Sequence, residues 1–220
     1  MGKSYTSAEL LSLKRISIFK LKTDVLQKFY EENLCNKGFI LELENGDIIK
    51  FTFDKEDFCH LIGFSYFGYN GLSGWDKLKN SPKKVVEFNN HKDFNFLQYR
   101  IIYFRNIVSI LQNPILYIYK AEDYPEFRYK SIYFAVMYID NRVLKLGIGI
   151  DSKTINYCET FLVDLDKPDL NYYLKSENLI NIKSKKIIDK DEFINTINSG
   201  DMVSEAAIEQ NNPNLVTDTL

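Results

Sequence analysis

The stretch Phe39-Ile40-Leu41-Glu42-Leu43-Glu44-Asn45-Gly46-Asp47-Ile48-Ile49-Lys50-Phe51-Thr52-Phe53-Asp54-Lys55-Glu56-Asp57-Phe58-Cys59-His60-Leu61-Ile62-Gly63-Phe64 changes its apolar period part-way along. Two alternating apolar runs flank Asn45-Gly46, the strongest short-range signal for a β-hairpin. After Phe53 the pattern becomes helical. Asp54 is placed to cap a short helix from Lys55 to Ile62, Asp57 in its first turn suits the positive end of the helix dipole, and Gly63 sits where a left-handed stop is expected. A hairpin running straight into a capped helix predicts an α+β fold.

Working outward, residues 7–34 read as two helical pieces, the second beginning at Thr23 or Asp24. Residues 64–92 are rich in Gly, Asn and Ser and hold the sole tryptophan, Trp75, and the spacing of glycines from Gly68 to Gly74 favours an irregular loop of functional type. From Asp93, the residues Phe94, Leu97, Ile101, Phe104, Val108 and Leu111 recur at helical spacing, which predicts one helix over 93–112 ended by Asn113-Pro114. Strands are expected at 115–119, 131–139, 142–150 and 155–163, with Asp140-Asn141 as a hairpin turn. A short strand near 179–182 and a small helix near 190–197 follow. Helices, a hairpin, more helices and a meander give helices packed on an antiparallel sheet.

With 220 residues, 45% of them hydrophobic, the chain is long enough to bury a sizeable core. One domain is expected over 1–198. Residues 199–220, with Asp201, Glu205, Glu209 and Asp218 and no Lys or Arg after residue 200, read as a disordered acidic tail. Without those acids the body carries a small positive charge, concentrated in residues 72–105, where seven Lys and Arg stand against three Asp and Glu. Such a stretch is compatible with a phosphate-facing surface and equally with a solvated face. Cys35, Cys59 and Cys158 are far apart, without metal-ligand spacing, so free thiols in a reducing cytoplasm are expected and neither metal nor cofactor. No apolar run reaches a bilayer-spanning length, and the start of the chain does not read as a signal peptide. Met1-Gly2-Lys3-Ser4-Tyr5-Thr6 matches the loose myristoylation pattern, which is short enough to match by chance. Phosphate-binding glycine loops, HExxH and GxSxG are absent, which disfavours NTPases, dinucleotide enzymes and metalloproteases.

His60 and His91 are the only histidines, so imidazole acid–base chemistry has few places to be. His60 closes the short helix, where the dipole favours its charged form; the plainer reading is a residue capping the preceding carbonyls. His91 reads as a loop residue. Arg100, Arg105, Arg128 and Lys130 are candidates for phosphate contact or for surface ion pairs. In the last main strand, alternation puts Tyr157 and Glu159 on one face and Cys158 and Thr160 on the other.

Together these residues resemble the phage-associated nucleases of the barnase–EndoU–colicin–RelE superfamily. The resemblance lies in Phe58-Cys59-His60-Leu61-Ile62-Gly63, Phe67-Gly68-Tyr69-Asn70-Gly71, Gly74-Trp75-Asp76-Lys77-Leu78, Tyr99-Arg100-Ile101-Ile102-Tyr103-Phe104 and Glu159-Thr160-Phe161-Leu162, and spans residues 20–185. It implies a metal-independent RNase that activates the ribose 2′-hydroxyl and acts on RNA such as tRNA or ribosome-associated RNA. His60 would transfer a proton, Arg128 or Arg100 would hold the phosphate, Thr160 or Glu159 would orient the attacking group, and Lys77 and Trp75 would contact RNA. A phage or mobile-element toxin with an antitoxin or host protein as partner would fit. The departure is that no second histidine lies near the last strand. The rival expectation is a non-catalytic binding protein, an inhibitor or anti-defence factor that keeps the nuclease-like fold.

Overall fold

A computed structural model describes residues 3–150 and 156–198. The predicted tail and the Met1-Gly2 pattern lie outside the described residues. In chain order the elements are α1 (Ser7–Ser12), α2 (Thr23–Tyr30, running on into a π turn, Glu31–Cys35), β1 (Lys37–Leu43), β2 (Ile48–Thr52), α3 (Lys55–Ile62) and α4 (Gly71–Asn80). Then come α5 (Phe94–Tyr103), α6 (Ile107–Gln112), β3 (Ile115–Ile118), β4 (Ser131–Ile139), β5 (Arg142–Ile150), β6 (Asn156–Leu165), β7 (Leu179–Ile180), β8 (Ile182–Asp189) and α7 (Lys190–Asn198).

The predicted hairpin forms. Phe39 pairs with Phe51 and Glu42 with Ile48, and the loop closes through the Leu43 N–H on the Asp47 carbonyl at 2.9 Å. Asp54 caps α3: its backbone N–H donates to Asp57 Oδ2 at 2.9 Å, and Gly63 ends the helix at φ 92°. Asp140 and Asn141 both take positive φ in the β4–β5 turn, the two-residue connection that matches strand twist.

The α+β class stands, with two antiparallel sheets. One has the order β2-β1-β8, the other β6-β5-β4-β3-β7. They meet where the Lys50 N–H donates to Asn156 Oδ1 at 2.9 Å and Tyr133 Oη to Asp47 Oδ2 at 2.9 Å. The main core lies between the helices and the inner faces of the sheets, with Tyr30, Phe51, Phe58, Trp75, Phe104 and Phe161 at its centre. On the outer face of the five-stranded sheet a second cluster gathers Tyr119, Tyr124, Phe134, Val136, Val143 and Tyr173. The segments before β4 and after β6 supply its aromatic cover.

Four expectations need correction. The loop expected from Gly68 to Gly74 is cut short, because Gly71 already opens the ten-residue α4, which stands between 3₁₀ turns over Phe64–Phe67 and Val85–Phe88. The helix over 93–112 is interrupted by a 3₁₀ turn at Phe104–Asn106. The chain after Leu179 contains the eight-residue β8, which pairs with β1 and completes the hairpin's sheet. Helix α2 is preceded by Lys22 in the cap position, and the Thr23 hydroxyl accepts instead from the Lys83 N–H at 3.0 Å.

Candidate active site

The alternation of β6 breaks in its first half. Gly147 faces Thr160 and Ile148 faces Cys158, so Glu159 is an extra residue, a β-bulge. Cys158 and Phe161 are then buried in the main core, while Thr160 lies on the outer face: a Cβ built on Gly147 would meet Thr160 Cγ2, Ser131 Oγ and Phe134 Cε1. The assignment of Cys158 and Thr160 to one face is thereby corrected. A bulge breaks the two-residue period and turns a side chain that regular pleating would direct elsewhere.

The Glu159 carboxylate is fixed by two donors. Ser131 Oγ donates to Oε2 at 2.5 Å, and the Lys130 N–H donates to Oε1 at 2.7 Å. The extended segment 127–130 alternates, tucking Phe127 and Tyr129 against the second cluster and leaving Arg128 and Lys130 exposed. Arg128 forms no ion pair with a described residue. Tyr157, opposite Gly149 on the same face, is 36% exposed. A held carboxylate, two basic side chains, a hydroxyl and a phenol thus share one end of the outer face.

Beside them is a constellation that the sequence reading missed. Lys145 is 1% exposed; its Nζ pairs with Asp164 Oδ2 at 2.5 Å and donates to the Tyr173 hydroxyl at 2.7 Å and to Asn171 Oδ1 at 2.9 Å. Burial pushes the Lys145 pKa down and Asp164 pulls it back up, while burial pushes the Tyr129 phenol up to about 12. A buried ammonium needs this degree of pairing. The signal available in the sequence was a lysine amid the apolar run Val143 to Ile150, with Asp164 two pairs along β6.

The other sequence candidates lie elsewhere. His60 is exposed at the end of α3, whose buried Phe58, Cys59, Leu61 and Ile62 face the main core. That core and the sheet separate it from Glu159 and Thr160, so the structure does not bring His60 into their group. Arg100 is 6% exposed, and its Nε and Nη2 donate to the carbonyls of Leu61 at 2.6 Å and His60 at 2.7 Å. It closes the C-terminal end of α3 rather than facing a cleft. Trp75, 1% exposed, packs edge-on against Phe58 at 5.1 Å, so its ring offers no face to a base. Lys77 is exposed in an open depression with Tyr69, Asp76 and Lys83. His91 lies edge-on to Phe67 and 3.6 Å from Asp93. Arg105 binds the carbonyls of Leu10 and Lys14.

Compared with known protein families, residues 26–200 match the model described as phage-Barnase-EndoU-ColicinE5/D-RelE like nuclease4 (PBECR4). The chain belongs to this family. No curated protein and no solved structure matches it. Membership of PBECR4 makes nucleic acid the substrate class, and the two antiparallel sheets with packed helices agree with a fold of this kind. The match covers every element from β1 to α7, and so both the bulge of β6 and the cations before β4. Among the described residues no three His, Cys, Asp or Glu side chains gather as a metal site would require, and no helix is long and apolar enough to cross a membrane.

Proposed function

We propose that this PBECR4 protein is a metal-independent endoribonuclease whose reaction centre is the Glu159 end of the sheet's outer face. The observation that carries the reading is the bulge that presents a carboxylate, held by Ser131 Oγ and the Lys130 N–H, beside exposed Arg128 and Lys130. Glu159 takes the proton of a ribose 2′-hydroxyl, and Thr160, buried beside it, supports the bulge rather than touching the sugar. The 2′-oxygen attacks phosphorus, the bond to the 5′-oxygen breaks, and that oxygen leaves with a proton from Tyr157 or water. The products are a 2′,3′-cyclic phosphate and a free 5′-hydroxyl. Arg128 and Lys130 neutralise the charge that grows on the phosphoryl oxygens, the kind of electrostatic stabilisation that carries most phosphate chemistry. The phage association in the family description supports a mobile-element effector, a toxin restrained by a protein partner.

The test is cleavage of mixed RNA by purified protein in EDTA. Glu159→Gln is expected to remove about 10²–10⁴-fold of the rate, the usual worth of a positioned proton-transfer group, with Arg128→Ala also impaired. His60→Ala is expected to cleave as the parent does. Full activity in Glu159→Gln, or cleavage that disappears in EDTA and returns with a divalent ion, overturns the mechanism. Absence of cleavage under all conditions favours the non-catalytic binding protein.

A further inference from the structure

A second surface, at the other end of β4 and on the helical side, has the composition of a strand-binding track. Two adjoining hollows of about 410 and 450 Å³ share Lys14, Arg105 and Asp140. Their walls come from the segment after α1, the exposed side of α5 with its 3₁₀ turn, and the tip of the β4–β5 hairpin. Lys14 and Arg15 are exposed there. Arg105 is held in place by its bonds to the carbonyls of Leu10 at 2.6 Å and Lys14 at 3.3 Å, and Arg142 lies 3.5 Å above the Tyr99 ring. Asp140, the one acid among the described residues lining the hollows, is engaged by the Tyr103 hydroxyl at 3.0 Å.

Of the aromatic side chains on this side, Tyr99 and Tyr103 line the second hollow and Phe96 lies on the turn of α5 before them; Tyr103 is half-buried against the main core, and the other two are exposed. The apolar stripe of α5 uses Phe94, Leu97 and Ile101, whereas Phe96, Tyr99 and Tyr103 recur at i, i+3 and i+7 on another side. Phe96 is 63% and Tyr99 37% exposed. Two exposed rings, Phe96 and Tyr99, near Lys14, Arg15 and Arg142 match what single strands require: π-faces for successive bases and cations for the backbone between them. The guanidinium on Tyr99 extends that platform, because its plane also accepts a base.

We propose that this trough is a binding site for single-stranded RNA, with bases stacked on Phe96 and on the Arg142 guanidinium that covers Tyr99, and phosphates held by Lys14 and Arg15. The proposal rests on the nuclease reading above and adds the substrate class: single-stranded RNA long enough to touch two places. Along β4, Ser131 and Ile139 beside the hairpin tip are eight residues apart, roughly 26 Å. A dinucleotide at Glu159 cannot reach the trough, whereas a longer strand passing the edge of the sheet can.

The experiment uses the full chain and a labelled 2′-O-methyl oligonucleotide of about ten nucleotides, which lacks the attacking hydroxyl and fits the usual site sizes. Fluorescence anisotropy over a salt series reads affinity. Phe96→Ala is expected to weaken binding between about 5- and 150-fold, the worth of one stacked base. Lys14→Ala/Arg15→Ala is expected to weaken it and to flatten the salt dependence by about 0.7 in log–log slope per lost phosphate contact. Both variants should cleave a dinucleotide as fast as the parent, and circular dichroism should confirm their fold. Binding that is unchanged in both variants, or absent in the parent, overturns the inference and leaves the aromatic row to a protein partner. The two readings fail separately: cleavage by the parent with unaltered binding in the variants sinks only the trough, while trough-dependent binding without any cleavage sinks only the nuclease.

Discussion

A guanidinium buried without a carboxylate is tolerated only where other groups replace its water. At Arg100 the groups are the last carbonyls of α3, which have no partner within the helix and lie at its negative end. Burial lowers the Arg100 pKa to about 10, still well above neutral, so the side chain remains charged and serves as a fixed C-terminal cap. Arg100→Ala would leave the Leu61 carbonyl without its bond from Nε and remove one of the two donors to the His60 carbonyl. At about 1–3 kcal/mol for an orphaned buried acceptor, and more for charged partners, a loss of about 2–4 kcal/mol in urea unfolding is expected. RNA cleavage by whatever fraction remains folded should be close to normal. An unchanged urea midpoint with RNA binding abolished would show instead that Arg100 contacts phosphate. Trp75 follows the same logic: in a chain with many aromatics, a lone tryptophan draws the eye as a stacking surface, but its bulk is worth most in the core.

At the scale of elements, what was legible is what has local punctuation. Asn45-Gly46, Asp54, Gly63 and Asp140-Asn141 each force a turn, cap or stop, and the elements beside them were readable to within a residue or two. Three features were not legible because long-range contacts set them. Helix α4 begins Gly71-Leu72-Ser73-Gly74, which reads as loop, yet Gly74 is where the helix presses on its neighbours: an added Cβ would sit 2.6 Å from the Tyr69 carbonyl carbon and 3.1 Å from Cys59 Sγ. Strand β8 alternates with lysines in Ile182-Lys183-Ser184-Lys185-Lys186-Ile187, an edge strand's polarity that hides it. The bulge at Glu159 leaves no mark in composition at all. At the candidate site, Arg128, Glu159 and Thr160 were readable as chemical residue types, whereas their separation from His60 and the Lys145 network depend on which face each strand turns inward. The bulge has its own test in Gly147, which makes room for Ser131. Gly147→Val would drive a side chain into Ser131 Oγ, so overpacking should cost about 1–3 kcal/mol and displace the donor that holds Glu159. A fall in cleavage exceeding the loss of folded protein, measured side by side with thermal unfolding, is expected; a variant with parental activity would detach Ser131 from the reaction.

For the whole molecule, the decisive join is between two segments far apart in the sequence. Strand β1 near the start pairs with β8 near the finish, Lys37 opposite Asp189, and α7 then packs back on β1. Phe193 is buried against Gly38, so close that any Cβ there would overlap its ring. The three-stranded sheet therefore forms only when the chain from Lys37 to Asp189 is present, and such distant pairing makes for slow folding. Phe193→Ala is expected to lose about 3–5 kcal/mol, as large buried aromatics do, because the glycine floor beneath it cannot fill the cavity. A chain ending at Asn181 should fare worse, since β1 would keep apolar Phe39 and Leu41 with an unpaired edge, a template for association with other copies. Expressed beside the parent, it should collect in the insoluble fraction, and any soluble part should be cut rapidly by a protease within β1 and β2. A truncated chain that melts near the parental temperature would mean that β8 and α7 are accessories, and that the outer-face site on the five-stranded sheet stands without them.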